Sequence, residues 1–196
     1  VYDLITNETS IDKTILDTKI PNLKIIPSHL NLSGIEFELA SDDERANKLN
    51  SKINDLKKYF DFVLIDCPPS LGILTVNSLV ASNSVLVPLQ CEFYALEGLA
   101  QLLKTVEKVK ENLNPDLFLE GVILTMFDSR NRLSEDVVND AREHLGEKVF
   151  KTIIPRNVRL SEAPSHALPA IIYDQTCLGS LAYIDLAKEL INRLEI

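Results

Sequence analysis

Segments with the pattern of strands alternate with segments with the pattern of helices, and this alternation limits the folds that the chain can adopt. The strand-like segments are short, mostly apolar runs at 22–27, 60–66, 84–88, 121–125 and 149–154. The helix-like segments repeat apolar residues at helical spacing, at 41–56, about 71–81, 96–109, 134–145 and 180–194. Strands that are apolar on both faces are typical of a parallel sheet covered by helices on each side. We therefore predict an α/β fold with a mostly parallel sheet flanked by helices on both faces.

Two serines have the pattern of residues that begin helices. Ser41 is followed three residues later by Glu44, which is the capping-box pattern. Ser134 precedes an apolar stripe that begins at Val137, and acidic residues follow it in the first turn, where the helix dipole favours them. We predict that each serine caps the N-terminus of its helix.

Composition is that of one ordinary globular domain covering residues 1–196, with 45% hydrophobic and 25% charged residues. No apolar run approaches the roughly 20 residues that span a bilayer. Cys67, Cys91 and Cys177 include no closely spaced pair, which favours buried thiols in a reducing compartment over disulfides or zinc ligands. The net charge of −9 excludes a protein coated in basic surface, so any nucleic-acid contact must be local.

Asp66 closes the apolar run Phe62–Ile65, and Cys67-Pro68-Pro69-Ser70 follows it. In parallel sheets, ligands bind beyond the carboxyl ends of the strands. A carboxylate at such an end fits the Walker B role, in which it holds Mg²⁺ beside nucleotide phosphates, usually through water. Two prolines would fix the backbone where a γ-phosphate sensor lies. An acid that caps a helix or closes a turn is the alternative, and spacing alone leaves both open.

Other polar residues follow the remaining strand-like segments, at 88–90, 127–128 and 155–157. We expect these loops to converge on the same sheet edge. The stretch 148–159 carries four basic residues and no acid, and Arg130 and Arg132 follow the neighbouring strand. Basic loops at one edge are typical of a local footprint for DNA phosphates. Ordinary solvated surface charge is the alternative.

Four long stretches closely resemble the ParA/Soj chromosome-partitioning ATPases, which are P-loop ATPases with a deviant Walker motif, related to MinD. They read IDCPPSLGILTVNSL, VLVPLQCEFYALEGLAQLL, GVILTMFDSR and KTIIPRNVRLSEAPSHALPAIIYD, and the resemblance runs from Val1 to the final helix. It implies that Asp66 is the Walker B acid, holding Mg²⁺ through water, and that Pro68 and Pro69 belong to switch II. The other residues that it places at the nucleotide, on the adenine side, are Phe127, Asp128, Pro155 and Asn157. A turn closed by proline and asparagine is the alternative for these residues.

The resemblance also implies a set of partners. Family members bind DNA without sequence preference through arginines that match Arg130 and Arg159, and we add Arg156 from the same loop. ATP brings two subunits together, and a ParB-like centromere-binding protein stimulates hydrolysis. Such a protein works in the cytoplasm on the nucleoid, without a membrane. Glu92, Tyr94 and Glu97 match a stretch near the dimer face, although simple entry into a helix explains them equally well.

The sequence also departs from the family. The glycine-rich loop KGGVGKT, the helix and strand after it and the switch I aspartate have no counterpart here, since the six glycines are scattered and none precedes a lysine. Without those amides and lysines nothing cradles the phosphates. We expect this chain to be the C-terminal portion of a ParA-type ATPase, with no catalytic residue of its own, weak or absent ATP affinity and no hydrolysis.

Three further functions compete with this interpretation. A non-catalytic remnant would bind DNA or a partner without turnover. A MinD-like membrane switch needs a basic amphipathic C-terminal helix, whereas 180–194 mixes Asp185 and Glu189 with Lys188 and Arg193, so we expect it to dock on the sheet. An iron–sulfur relative needs cysteines at a dimer face, and we reject it because two of the three cysteines lie within the ParA-like stretches.

Overall fold

A computed structural model describes residues 1–6 and 8–194, apart from the side chains of Asp55 and Lys57. The chain forms two compact units. Unit 1 comprises Val1–Ser84 and Thr105–Phe118, and unit 2 comprises Val85–Lys104 and Leu119–Ile196.

The described helices are α1 (Tyr2–Ile5), α2 (Ile11–Thr14), α3 (Ile35–Glu38), α4 (Asn50–Ile53), α5 (Ile73–Ala81), α6 (Ala95–Asn112), α7 (Arg132–Leu145), α8 (Val158–Glu162), α9 (Ala170–Tyr173) and α10 (Leu178–Arg193). The strands are β1 (Leu16–Asp17), β2 (Lys24–Ile25), β3 (Ser84–Gln90), β4 (Phe118–Phe127) and β5 (Val149–Pro155). Short 3-10 turns lie at Leu30–Gly34, Asn54–Lys58, Gly146–Lys148 and Ala163–His166. None of the described helices has the length and apolar character needed to span a membrane.

Unit 2 is built on a sheet in which β4 lies between β3 and β5. β4 and β5 run parallel, and Val122 lies opposite Val149. Alternate residues of β4 enter two hydrophobic clusters: Val122 packs with α6 and α7 residues, whereas Ile123 packs with Leu186 of α10. Because successive side chains of a strand point to opposite faces, helices cover both faces of this sheet. This confirms the predicted α/β class and the docking of the last helix on the sheet.

Unit 1 consists mainly of short helices around two small apolar clusters. One cluster joins α1, α4 and α5 through the buried residues Leu4, Leu49, Ile53, Leu56 and Ala81. The other joins α1 and α3 through Ile5, Ile35 and Leu39. The strand predicted at 22–27 is present only as β2, which pairs antiparallel with β1.

The predicted strand 60–66 is not formed. Residues 62–68 carry no regular secondary structure, and the side chains of Phe62, Val63 and Leu64 are 42%, 41% and 83% exposed. A strand needs a neighbour for its backbone N–H and C=O groups, and neither of the two described sheets includes this segment. Asp66 therefore lies in an exposed, irregular loop before α5, and its predicted place at the end of a buried strand is wrong.

Both predicted serine caps are also wrong. Residues 43–49 form turns, with the Glu44 N–H donating to Asp42 Oδ1 at 2.8 Å, and the α-helix begins only at Asn50. Asn131 caps α7 instead of Ser134, because its Oδ1 accepts from the Leu133 N–H at 3.1 Å. Ser134 is buried one turn later and donates to the Cys91 carbonyl at 3.3 Å.

The cysteine prediction is confirmed only in part. All three thiols are free, as expected, and Cys91 is buried. Burial raises the pKa of the Cys91 thiol, and the neighbouring Glu92 charge adds to this effect. Cys67, however, is exposed and Cys177 is only partly buried. Cys67 is exposed because it follows the apolar run that has no strand partner.

Candidate functional site

The loops that follow β3, β4 and β5 begin side by side at one edge of the unit 2 sheet. The Arg156 N–H donates to the Phe127 carbonyl at 2.8 Å, and the Cys91 N–H donates to the Thr125 carbonyl at 3.0 Å. Phe127 itself lies opposite Pro155 in the strand register. These bonds bring together three of the four strand ends that the sequence predicted to converge. The fourth, at Asp66, follows a segment that forms no strand.

A bulge turns the end of β4. Leu124 and Phe127 are three positions apart, whereas their partners Ile153 and Pro155 are only two positions apart. Met126 adopts a left-handed backbone with φ of 56°. A non-glycine residue in that region carries a strain of about 1–3 kcal/mol, and bulges redirect the side chains that follow. The bulge thereby sets the direction in which Phe127 and Asp128 leave the sheet.

Asp128 and Arg130 form a forked ion pair directly after this bulge. Arg130 Nε donates to Oδ1 at 2.9 Å, Nη2 donates to Oδ2 at 2.7 Å, and the Arg130 backbone N–H also donates to Oδ1 at 3.1 Å. The Arg130 side chain, followed by its backbone N–H, holds the pKa of the Asp128 carboxyl well below its usual range. The Arg130 side chain is nevertheless 86% exposed, so one face of its guanidinium remains open to solvent.

Arg156 connects the end of β5 to the end of β3. Its Nη2 donates to Glu92 Oε1 at 3.0 Å, and both side chains are about half exposed. Glu92 follows β3 in the stretch that the sequence placed near a dimer face or at a helix entry. In the structure, Glu92 lies immediately before α6 and its carboxylate faces the Arg156 loop.

Asn157 and Arg159 lie at the start of α8. Asn157 caps this helix, since its Oδ1 accepts from the Arg159 N–H at 2.9 Å. Arg159 Nη1 donates to Glu162 Oε2 at 2.9 Å, and its Nε lies 3.5 Å from Asp174 Oδ2. The hydrogen bond that Arg159 donates to Glu162 raises the pKa of the Arg159 guanidinium above its ordinary value. Tyr173 donates to the same Glu162 oxygen at 3.3 Å.

A cleft of about 640 Å³ runs beside β3 and the start of α6. Phe93 and Tyr94 stand at its rim in an edge-to-face pair, with ring centroids 5.0 Å apart. Both rings are mostly exposed, at 69% and 74%. Tyr94 belongs to the stretch in which the sequence left a dimer face and a helix entry as alternatives.

In unit 1, the loop 66–72 carries three of the predicted nucleotide residues. Asp66, Pro68 and Pro69 are all exposed. Within the described part of the chain, the Asp66 carboxylate forms no ion pair or hydrogen bond, so it remains available to a ligand from outside. Magnesium in nucleotide sites uses one or two carboxylates together with water and phosphate oxygens. Asp66 fits that donor set.

Sequence reasoning missed Glu36, which holds the end of this loop. The Ile73 N–H at the start of α5 donates to Glu36 Oε1 at 3.1 Å. A Cβ on Gly72 would lie only 2.1 Å from the same oxygen, so the close approach requires glycine. One signal was present: α5 has glycine as its N-cap and no capping side chain of its own, so its first N–H groups need an acceptor from elsewhere.

No group of three or more His, Cys, Asp or Glu side chains among the described residues is arranged to hold a metal ion. His166 stacks on Tyr173, with ring centroids 4.8 Å apart, in the short helical segment after α8. This contact gives His166 a packing role against the Tyr173 ring.

The AAA domain family matches residues 1–119 of the chain. The chromosome partitioning protein ParA of Caulobacter vibrioides strain NA1000 is 48% identical over 195 residues, which cover 98% of this chain and 73% of that protein. The sporulation initiation inhibitor protein Soj of Bacillus subtilis is 49% identical over 189 residues, which cover 96% of this chain and 75% of that protein.

Solved structures agree with these sequence matches. Cobyrinic acid a,c-diamide synthase from Mycobacterium smegmatis, with a bound ATP analog and magnesium, gives a TM-score of 0.85 at 32% identity over 99% of this chain and 72% of that one. The cell division ATPase MinD of Pyrococcus furiosus gives a TM-score of 0.79 at 24% identity, over 97% of this chain and 74% of that one. This similarity shows a shared fold.

Proposed function

This chain belongs to the ParA/Soj family of chromosome-partitioning ATPases, and we propose that it acts in DNA partitioning as part of an ATP-dependent, DNA-binding dimer. In this proposal ATP brings two subunits together, and the dimer binds DNA without sequence preference through Arg130, Arg156 and Arg159. A ParB-like partner then stimulates hydrolysis and release. The protein would work in the cytoplasm on the nucleoid.

The proposal of DNA binding rests mainly on one observation: two loops that contain arginines begin at the same edge of the sheet. The bond from Arg156 N–H to the Phe127 carbonyl makes the loop of Arg130 and the loop of Arg156 start together. The side chains of Arg130, Arg156 and Arg159 are 86%, 51% and 53% exposed. Arginine forks match phosphate oxygens, and exposed arginines in an acidic protein of net charge −9 give a local footprint for the DNA backbone.

The nucleotide part rests on Asp66 and on relatives that bind nucleotides. The structure of the synthase named above holds an ATP analog and magnesium. We propose that Asp66 holds Mg²⁺ through water, with Pro68 and Pro69 beside the phosphates. The bound magnesium would neutralise charge on the phosphate oxygens.

On the adenine side, we propose Phe127, Asp128, Pro155 and Asn157. Asp128 is paired with Arg130, and the Asn157 oxygen caps α8, so internal bonds already use part of their polar capacity. We therefore assign the amide nitrogen of Asn157 and the ring of Phe127 as the groups that face a base. The 196 residues include no phosphate-binding loop, and we expect no ATP turnover from them alone.

A graft tests this proposal. Residues 1–196 replace the matching 189 residues of Bacillus subtilis Soj, so that the unmatched quarter of Soj is present. Retention on two unrelated duplexes is measured with and without ATP at about 50 mM and 200 mM salt. We expect ATP-dependent binding to both duplexes, because phosphate contacts carry no sequence information.

Charge reversal identifies the surface. Each arginine counts twice in a dimer, so Arg130→Glu or Arg159→Glu should flatten the slope of log K against log salt by about 1.8, twice the roughly 0.9 per phosphate contact. The matched control is Arg142→Glu, which makes the same change on the exposed face of α7. Preference for one duplex, or equal losses in all three variants, would contradict the proposal. DNA binding that is equally strong with and without ATP would favour a DNA-binding module that does not hydrolyse ATP.

A further inference from the structure

Every arginine of the proposed DNA-contacting surface is already paired with a carboxylate of unit 2. Asp128 takes two donors of Arg130, at 2.9 Å and 2.7 Å. The other two arginines are held at 3.0 Å and 2.9 Å, by Glu92 for Arg156 and by Glu162 for Arg159. We call Asp128, Glu92 and Glu162 the clamp carboxylates.

We propose that the clamp carboxylates are internal competitors for DNA phosphate and thereby set the DNA affinity of this surface. The inference rests on the proposed DNA binding through these arginines. A carboxylate and a phosphate use the same fork of guanidinium N–H groups. Arg130 cannot give its Nε and Nη2 donors to Asp128 and to a phosphate at the same time. DNA must therefore displace the carboxylate, or bind through the remaining Nη1 and Nη2 donors with the Asp128 charge still beside the phosphate.

The exposure of the pairs makes this exchange feasible. Exposed ion pairs contribute little net free energy, because water and salt screen them. Arg130 is 86% exposed whereas Asp128 is 22% exposed, so the arginine can swing towards DNA while the carboxylate stays in its loop. The low pKa of Asp128 keeps its carboxyl ionised, and a charged competitor remains beside any phosphate that arrives.

Two of the clamp carboxylates suit a conservative substitution. In Asp128→Asn, the remaining amide oxygen can still accept from the Arg130 backbone N–H, which preserves the turn after β4. In Glu162→Gln, the amide oxygen can still accept from the Tyr173 hydroxyl. Each change removes one negative charge and weakens the hold on one arginine. We therefore expect tighter DNA binding from both.

Asp185 provides a matched control. It is an exposed acid of unit 2 that pairs with Lys188 at 3.1 Å on α10, and neither residue belongs to the proposed surface. Asp185→Asn changes the net charge by the same amount and also frees a cation. If Asp128→Asn and Asp185→Asn differ in DNA affinity, the difference therefore comes from where the negative charge is removed and not from the change in net charge.

The experiment measures binding of the Soj graft described above, in the presence of ATP, to two unrelated fluorescent duplexes by anisotropy, over a salt series from about 25 mM to 200 mM. The parent is compared with Asp128→Asn, Glu162→Gln, Asp185→Asn, Arg130→Ala and the double variant Asp128→Asn/Arg130→Ala. Circular dichroism checks that each variant is folded.

We expect Asp128→Asn and Glu162→Gln to bind about 2- to 30-fold more tightly than the parent, which is the range of two exposed ion pairs, one in each subunit. Their salt slopes should steepen by up to about 1.8, because one arginine is freed in each subunit of the dimer. Asp185→Asn should stay close to the parent, and the double variant should lose the gain.

The inference is overturned if Asp128→Asn binds no more tightly than Asp185→Asn, or if the double variant keeps the gain. Absence of binding by every variant at the lowest salt overturns it as well, because a freed arginine would then contribute nothing. If Arg130→Ala binds as well as the parent, the proposed DNA surface itself is wrong. If Arg130→Ala weakens binding while Asp128→Asn matches Asp185→Asn, only the competitor role is lost.

Discussion

Glu189 Oε1 in α10 accepts a hydrogen bond from the backbone N–H of Lys151 in β5 at 2.8 Å. Its second oxygen accepts from the Thr152 N–H at 2.9 Å, and Arg193, on the next turn of the helix, donates to Oε1 at 2.9 Å. Both N–H groups lie in an irregular part of β5, where Val149 and Ile153 are four positions apart but their partners Val122 and Leu124 are only two apart. The carboxylate thus accepts from two consecutive N–H groups of this irregular segment and fixes α10 on the sheet.

Replacing this carboxylate should destabilise the chain. In Glu189→Ala, two strand N–H groups lose a charged acceptor and Arg193 loses its partner, and we expect the free energy of unfolding to fall by about 2–3 kcal/mol. Urea denaturation followed by circular dichroism measures the change. Glu143→Ala on the exposed face of α7 is the control, with an expected change below about 0.5 kcal/mol. Equal effects of the two substitutions would refute this role of Glu189.

The same carboxylate should make stability depend on pH. Burial raises the pKa of Glu189, but hydrogen bonds from the Lys151 and Thr152 N–H groups, together with Thr152 and Arg193 side chains, outweigh it and lower the pKa from 4.5 to about 2. A carboxyl whose pKa is lowered by folding stabilises the native state above its unfolded pKa, and that contribution disappears as pH falls towards the folded pKa. We expect the stability difference between the parent and Glu189→Gln to be constant above about pH 5 and to shrink between about 4.5 and 2. A difference that stays constant throughout would contradict the assignment.

The sheet of unit 2 could be predicted because its signal is local and its partners are present. β3 and β5 begin at the predicted residue and end two and one residues later than predicted, whereas β4 begins three residues earlier and ends two residues later. The run at 60–66 carries the same signal, yet no described strand pairs with it. The hydrophobic pattern indicates whether a segment can be buried. Strand formation also requires a neighbouring strand that accepts and donates backbone hydrogen bonds.

The residues of the candidate site could be named from the sequence, but their pairing could not. Arg156 and Glu92 are 64 positions apart, and Ile73 and Glu36 are 37 apart. Such contacts depend on how elements pack, and local spacing carries no information about them. The helix caps failed for a related reason: Asn131 lies close to Ser134 and caps equally well, so backbone geometry decides between them.

Asn77 should be the most costly polar residue to remove from unit 1. It is buried, its Oδ1 accepts from the Leu49 N–H at 3.2 Å, and its Nδ2 donates to the Arg45 carbonyl at 2.7 Å. These bonds hold the turns before α4 against α5. Asn77→Ala leaves a buried N–H and a carbonyl unsatisfied, and we expect a loss of about 2–3 kcal/mol in the free energy of unfolding. Asn112→Ala, at the exposed end of α6, is the control, and a loss no larger than the control would show that Asn77 is not structural.

Gly72 and Glu36 should act as one unit at the end of the Asp66 loop. A methyl group at position 72 would displace the Glu36 carboxylate, because the Cβ position lies 2.1 Å from Oε1. Glu36 is exposed and flexible, so it can swing away, but the Ile73 N–H then loses its acceptor. Gly72→Ala should therefore cost about 1 kcal/mol, the net contribution of one such hydrogen bond, and Glu36→Ala should cost about the same.

Because both substitutions break the same contact, their effects should not add. The double variant Gly72→Ala/Glu36→Ala is expected to lose about 1 kcal/mol as well, with a coupling free energy of similar size. Chemical denaturation of the four proteins gives this cycle, and hydrogen exchange at the Ile73 N–H locates the effect, since each variant should exchange faster there. Glu38→Ala, two residues along α3, keeps the bond to Ile73 and serves as the control. Additive losses, or unchanged exchange at Ile73, would mean that Glu36 does not hold the loop that carries Asp66.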